Sequence, residues 1–436
     1  MAGAPRARLG VWSLALLVVA SMIGAGVFTT SGFALADLGT PARVLGAWAV
    51  GGVIALCGAI AYGALARRMT ESGGEYLFLS RAVHPGAGFV AGWVSLLAGF
   101  TGAIAFAATA FESYALPDGV RPAWLPEGAV AIGVILACAL LHGVRVTPGV
   151  VSQNAKVAIK LGLLVAFLAF AATTLGDERW PGGPLRHDAG DIPGCDALAF
   201  ATSVMWISLS YSGFNAAIYI AGEAHNPART VPRAMALATL GVALLYLALN
   251  AVFVLAPAPE RIAGREDVAT VAARAVGGDA LAEAARWVIA LALVTSVSSM
   301  IMTGPRVYAK MAEDRLFLPG LDRVVASPLR AVWLQAALAC VVAAVSELQQ
   351  LLSYLGFTLG LSTAAAVASV FLLKRRDPAM RAPGFPIVHG AYVLATLVFA
   401  TLAAMRRPWE AGAAVATIAS GLALYWLVRA RQSTGA

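Results

Sequence analysis

Met22-Ile23-Gly24-Ala25-Gly26-Val27-Phe28 is the first stretch whose residue types and spacing could do chemistry. Two glycines flank an alanine in the middle of an apolar run, Leu9 to Leu35, that is long enough to cross a bilayer. Each glycine costs a helix interior about 0.5–1 kcal/mol relative to alanine. In lipid an unwound turn costs more, because every freed N–H and C=O needs a partner. Such a break is tolerated where it lines a cavity, and its bare amides can then hold a solute. A second interruption, Ser208-Leu209-Ser210-Tyr211-Ser212-Gly213-Phe214-Asn215, lies within the run Ala197–Gly222. The third feature is Lys160, about a turn and a half inside the run Ala155–Leu175. A lysine at the bilayer centre costs about 2.5–3.5 kcal/mol on insertion scales, so it should face the helix bundle. The alternative is snorkelling to the surface, which suits Lys156 better.

Other chemistries lack their residues. His84, His142, His187, His225 and His389 are too dispersed for a metal or catalytic cluster. Cys57, Cys138, Cys195 and Cys340 are scattered and point to neither a disulfide framework nor a metal site. We therefore expect no metal and no cofactor. An enzyme would need paired carboxylates or a His/Asp/Ser set at membrane depth, and a channel would need a filter motif; neither is present. The net charge of +8 comes without a basic helix or an aromatic-basic patch, so no nucleic-acid partner is expected.

The elements that must position these residues are membrane helices. The 436 residues are 60% hydrophobic and only 12% charged, too little charge to cover a soluble domain of this size. Apolar runs fall near Leu9–Leu35, Val44–Ala66, Gly86–Phe111, Gly128–Val146, Ala155–Leu175 and Ala197–Gly222. They continue near Pro232–Leu255, Ala285–Met302, Ala331–Val345, Leu351–Leu373, Phe385–Met405 and Ala411–Val428. The reading is an all-α polytopic membrane protein with about twelve transmembrane helices. The first run follows Arg6 and Arg8 but is too long for a signal peptide and lacks its cleavage pattern. With the N-terminus in the cytoplasm, roughly two-thirds of the 31 Lys and Arg residues fall on the inner side. Both termini are accordingly expected on the cytoplasmic side of the cell membrane. Two outer stretches are long: 176–196 reads as irregular, while the second, within 256–284, is patterned as a short surface helix.

The two interruptions occupy matching places if the first ten spans form two five-helix repeats. That divides the chain into 1–175 and 197–373, with two further helices in 385–429. Interrupted segments at corresponding positions of two halves point to a binding site near the bilayer midplane. Either segment alone is equally consistent with small residues packing helices together. Both together, five spans apart, favour a site.

Several patches resemble the amino acid–polyamine–organocation (APC) transporters. Ser21-Met22-Ile23-Gly24-Ala25-Gly26-Val27-Phe28 is similar to the first-helix glycine motif of those permeases. Glu71-Ser72-Gly73-Gly74-Glu75-Tyr76 and Gly88-Phe89-Val90-Ala91-Gly92-Trp93 resemble their second loop and the entry to helix three. Ser210-Tyr211-Ser212-Gly213-Phe214-Asn215, Glu223-Ala224-His225-Asn226-Pro227 and Val231-Pro232-Arg233-Ala234 resemble helix six and the loop after it. Pro305 to Asp314 resembles the end of helix eight. The helix-six patch is nearest the L-type branch, which carries neutral amino acids. The resemblance implies a LeuT-type fold of two inverted five-helix repeats, with helices one and six broken. It also implies secondary active transport of amino acids through alternating access, not enzymatic turnover. A cationic amino acid or polyamine antiporter, and a non-transporting sensor with the same fold, remain the alternatives.

On that footing, N–H groups of Gly24, Ala25, Gly26 and Val27 are candidates for the α-carboxylate, at the positive end of the second half-helix. The carbonyl near Ile23, and those from Leu209 to Tyr211, are candidates for the ammonium. Ser208, Leu209, Tyr211, Phe214 and Asn215, with helix three from Ser95 to Thr101, are the expected side-chain walls. None of these is charged, which favours neutral substrates, because a distal charge there would be unpaired in low dielectric. The family's bulky aromatic gate is replaced here by Leu209, with Tyr211 or Phe214 as stand-ins. Lys160 resembles the helix-five lysine that takes the place of a sodium ion in sodium-independent members. The implied bridge runs from helix one to Ser298 or Ser299, leaving proton symport or exchange as the modes. Glu223 and Arg306, with Arg229 and Arg233, are candidates for inner-gate ion pairs. The expected partners are an amino acid, the lipid bilayer and a coupled proton.

Overall fold

The first apolar run breaks at its glycines. In the computed structural model, which describes residues 9–116, 121–144, 150–174, 197–314, 317, 322–325 and 327–434, α1 (Val11–Met22) gives way to α2 (Gly26–Leu38). The two are bent 42° from each other. Gly39 ends α2 in the left-handed region at φ 73°. Thr40 then caps α3 (Pro41–Arg68), its side chain accepting from Arg43 N with Pro41 in the first turn. The short α4 (Gly74–Ala82) precedes one span made of α5 (Pro85–Val94), a π-helical stretch Ser95–Gly102 and α6 (Ala103–Ala115). Next come α7 (Ala129–Val144) and α8 (Val150–Thr173).

The second interruption lies where α9 (Ala197–Ser210) stops; the chain resumes as a 3₁₀ segment, Ala216–Glu223, before α10 (Pro227–Leu255). In α11 (Val268–Glu313) the backbone leaves helical geometry at Gly277 and Gly278, setting apart the short outer helix read from the sequence. The chain closes with α12 (Asp322–Val325), α13 (Pro328–Val345), α14 (Leu348–Arg376), α15 (Ile387–Arg406) and α16 (Pro408–Thr434).

Among the described residues, seven helices are long and apolar enough to cross a membrane, or eight with the bent first pair. Shorter apolar helices, Ala129–His142, Val157–Thr173, Ala197–Ser210 and Leu329–Val345, fall on the other four runs. The chain is a polytopic helical membrane protein. By length and composition up to eight spans stand out among the described residues, and the other four of the twelve runs carry the shorter helices; α9, for one, is cut short by its own break. The expected irregular loop 176–196 lies outside the described residues.

The broken elements sit centrally. α1 runs along α10, α10 along α3, and α2 against α9, while α14 and α15 cover the other side of α9. A buried polar chain ties them together. Trp48 Nε1 donates to Ser31 Oγ (2.9 Å), Ser31 Oγ to Asn250 Oδ1 (2.6 Å) and Asn250 Nδ2 to the Tyr246 carbonyl (2.9 Å). Tyr246 OH donates to the Met22 carbonyl (2.6 Å) and Tyr211 OH to the Trp48 carbonyl (3.2 Å). In lipid such chains are satisfied or they are costly. Asn250→Ala is expected to leave Ser31 without its acceptor and to lower stability by about 1–3 kcal/mol. Thermal unfolding of the detergent-purified variant checks this, and an unchanged midpoint would show that the chain carries no stability.

One face gathers the basic helix ends. Arg67 and Arg68 close α3, and Lys374, Arg375 and Arg376 close α14, each complementing its helix dipole. Arg68 lies 3.7 Å from Asp377, and Arg376 Nη1 donates to the Ala82 carbonyl (3.0 Å). The start of the chain is on this face too, where Leu9 pairs with Glu223 and His225. We call it the N-terminal face.

Candidate functional site

Two glycines bring the breaks together reciprocally. A Cβ on Gly26 would overlap Ser210 Oγ and stand 2.8 Å from Ser210 Cα, so α2 can touch the end of α9 only without a side chain there. Gly213 has φ +101°, and a Cβ on it would lie 2.6 Å from the Ser21 carbonyl oxygen. Thus the residue after the first break packs on the end of α9, and the residue in the second break packs on the end of α1. Thr30 and Ser210 hydroxyls, 3.0 Å apart, close the contact.

Backbone accounting shows which groups remain for a solute. Gly24 N donates to the Met22 carbonyl (2.8 Å), so its N–H is occupied, contrary to the sequence expectation. The tight turn that ends α1 uses it. The N–H groups of Ala25, Gly26 and Val27 have no partner among the described residues and stand at the N-terminus of α2. The Ile23 carbonyl, expected to be free, accepts from Lys160 Nζ. In the second break, the Leu209 carbonyl accepts from Ser212 N (2.8 Å), whereas those of Ser210 and Tyr211 accept nothing among the described residues. The arrangement therefore offers three adjacent donors and, across the Gly26–Ser210 contact, two acceptors.

The expected side-chain walls divide. Ser208, Leu209 and Phe214 line a cavity of about 60 Å³ between α9, α3, α14 and α15. Its polar lining is hydroxyl in character, including Ser212, Thr363 and Tyr392, and no charged residue borders it. Tyr211 is not part of that lining; its ring packs between α3 and α10, against Trp48 (5.7 Å) and Tyr246 (5.1 Å). Asn215 is turned away as well, its Nδ2 donating to Glu75 Oε1. Gly213, at φ +101°, turns the chain so that Ser212 and Phe214 on either side of it line the same cavity. None of Ser95–Thr101 lines this cavity; that segment is wound into the π-helical stretch. Such wide turns recur at functional sites. Thr101 Oγ1 is buried there without a hydrogen-bond partner among the described residues.

Lys160 reaches the first break but not α11. Its Nζ bonds the Ile23 carbonyl, and among the described residues it makes no bond to Ser298 or Ser299. Ser298 Oγ is instead 2.7 Å from His142 Nε2 of α7, and the Ser299 carbonyl accepts from Thr303 Oγ1 (2.9 Å). Among the described residues the bridge implied for these serines is not formed, and Ser298 is engaged by His142. Glu223 is exposed, and among the described residues its bonds are made by its backbone, with no gate ion pair. The side chain of Arg306 lies outside the described residues.

The buried acid on this face is Glu75, held in the quoted loop motif but given no role by sequence reasoning. It is 4% exposed and accepts from Tyr62 OH (3.0 Å), Tyr219 OH (2.5 Å) and Asn215. The available signal was a single carboxylate followed directly by the apolar Tyr76-Leu77-Phe78-Leu79. Tyr246, which caps the Met22 carbonyl, had none, since a tyrosine in an apolar span reads as core.

A family model described as amino acid permease matches residues 9–426. The chain belongs to the amino acid permease family. It is therefore a transporter, not an enzyme, and moves amino acids across a membrane. The human large neutral amino acids transporter small subunit 2 is 23% identical over 96% of this chain and 80% of its own length. The mouse b(0,+)-type amino acid transporter 1 is 24% identical over 96% of this permease and 87% of that protein. An uncharacterised transporter of Mycobacterium tuberculosis is 28% identical over 84% of this chain and 80% of its own.

Proposed function

We propose that this permease carries neutral amino acids, without sodium, by proton symport or by exchange, through alternating access. The observation that carries the reading is three N–H groups at Ala25–Val27, unpartnered among the described residues, together with a cavity at the second break that no charged residue borders. A carboxylate placed at the N-terminus of α2 gains three donors and the helix dipole. The Ser210 and Tyr211 carbonyls stand opposite for the ammonium. The hydroxyl-lined cavity beside Ser208, Leu209 and Phe214 suits a side chain without charge, since a cation there would have no counter-ion. The name of the human relative, a large neutral amino acids transporter, agrees with this chemistry.

Lys160 supports sodium independence: a resident ammonium on the Ile23 carbonyl occupies a place where a bound cation would otherwise hold helix one. The reciprocal glycines support two inverted repeats, 1–175 and 197–373, with 385–429 appended. The basic helix ends support a cytoplasmic N-terminal face in a cell membrane.

Counterflow into proteoliposomes tests the reading. Labelled neutral amino acids are expected to enter vesicles preloaded with unlabelled ones, at rates unchanged when choline replaces sodium. Arginine and putrescine are expected not to compete. Strict sodium dependence, or preferential uptake of arginine, would overturn it.

A further inference from the structure

Glu75 lies outside the binding geometry, yet it is the buried charge most closely engaged with the second broken helix. Its Oε1 accepts from Tyr62 OH of α3 and from Asn215 Nδ2 of the break; its Oε2 accepts from Tyr219 OH of the 3₁₀ segment. Among the described residues, Tyr392 of α15 also faces this cluster. On its own element, Tyr76 donates to Asp314 (2.7 Å) and Arg81 pairs with Glu71, so neither serves Glu75. Among the described residues no cation balances it. A carboxylate so far from water, with neutral partners alone, depends on every donor it has.

Those donors belong to two sets of elements. Tyr62 and Glu75 sit on α3 and α4, while Asn215 and Tyr219 sit on the stretch that follows the second break. That stretch is docked on α4 by close contacts. Gly74, at φ +61°, leaves no room for a Cβ beside the Tyr219 ring, and Gly222 N donates to Ser72 Oγ (3.1 Å). It is also irregular, with 3₁₀ geometry and a kink at Ile220 (φ −127°, ψ 22°). Moving it away from α4 would remove two of the three donors and open the carboxylate to the N-terminal face.

Hydrogen-bond chemistry says where a proton would land. The Asn215 amide nitrogen can only donate, so Oε1 must remain an acceptor. Tyr219 OH can both donate and accept, so it can turn and accept from a protonated Oε2.

Resting on the reading that this chain is a sodium-independent amino acid transporter, we propose that Glu75 is its proton-coupling residue and the latch of its N-terminal gate. Ionised, it holds the 211–223 stretch shut through charge-assisted bonds, which are about twice as strong as neutral ones. A proton bound at Oε2 neutralises the carboxylate, Tyr219 OH turning to accept from the new O–H, and weakens the latch. Once the stretch swings out, water on the N-terminal face takes the proton and Glu75 closes the gate again.

The test uses the full chain in proteoliposomes with the membrane potential clamped at zero. For one proton per substrate, an inward gradient of one pH unit is expected to drive about tenfold accumulation of a labelled neutral amino acid. Glu75→Gln, permanently neutral but still an acceptor, is expected to show measurable counterflow, slowed by the weaker latch, and no accumulation above equilibrium. Retained accumulation in Glu75→Gln would overturn the proposal. So would a wild-type protein that exchanges amino acids but ignores the pH gradient, an outcome that leaves the transport reading standing. No movement of amino acids in either assay would remove the transport reading itself. If Glu75→Gln does not fold, Tyr219→Phe decides: it keeps the ring against Gly74 and removes the reversible hydroxyl. Its accumulation is expected to fall at least severalfold at unchanged counterflow, and wild-type accumulation would overturn the proposal.

Discussion

Gly26→Val is expected to abolish transport of every amino acid alike, by at least about a hundredfold, and to destabilise the protein by about 1–3 kcal/mol. Both effects have one geometric cause. A Cβ at this position stands 2.8 Å from Ser210 Cα, so α2 must move off α9. That movement carries the free Gly26 N–H away from the Ser210 and Tyr211 carbonyls. Folding and binding are separated by a second variant, Gly24→Ala. There the nearest atoms to a Cβ are Met22 O at 3.9 Å and Ser296 Oγ at 4.0 Å, so the methyl fits without clash. Gly24→Ala is expected to unfold at the wild-type temperature while KM rises at least severalfold for all substrates, since the methyl occupies the open space beside the break. Uptake at a series of concentrations, with thermal unfolding of the same preparations, reads both. A Gly26→Val protein that merely changes its substrate preference would show that the first break does not hold the group common to all amino acids.

Lys160→Ala is expected to lower transport by about 10- to 100-fold, the equivalent of the 1–3 kcal/mol lost when a buried acceptor goes unpaired. The ammonium of α8 is the described partner of the Ile23 carbonyl, which the break has released from the helix ladder. Without it the carbonyl must recruit water or rewind the turn, and either shifts the Ala25–Val27 donors. Lys160→Met separates charge from bulk: it keeps much of the side-chain volume and is expected to behave like Lys160→Ala. Initial rates of counterflow check the pair. Normal rates in both would reduce Lys160 to packing.

Much of this architecture was legible because membrane helices punish anomalies. Glycines at 24 and 26, serines around 210 and a lysine at 160 are expensive in an apolar run, so each had to mark a special environment. The interruptions at both places follow from those costs, as does the helical, multi-span class of the chain. The side-chain assignments were less legible. Leu209 and Phe214 border the cavity, but Tyr211 and Asn215, two and one positions from them, face other elements. Packing partners from distant helices, Trp48 and Tyr246 for Tyr211 and Glu75 for Asn215, go with that division, and no side-chain pattern announces them.

The partnerships of charged and polar groups came from tertiary structure alone. Ser298 was expected beside Lys160 and meets His142 instead; Glu223 was expected in a gate and is exposed, while Glu75 is buried under Tyr62 and Tyr219. Sequence by itself determined where the chain must leave the helix, because that cost is local and is set by residue type and depth in the bilayer. Which donor meets which acceptor is set by how helices distant in sequence pack, and only the assembled bundle decides that.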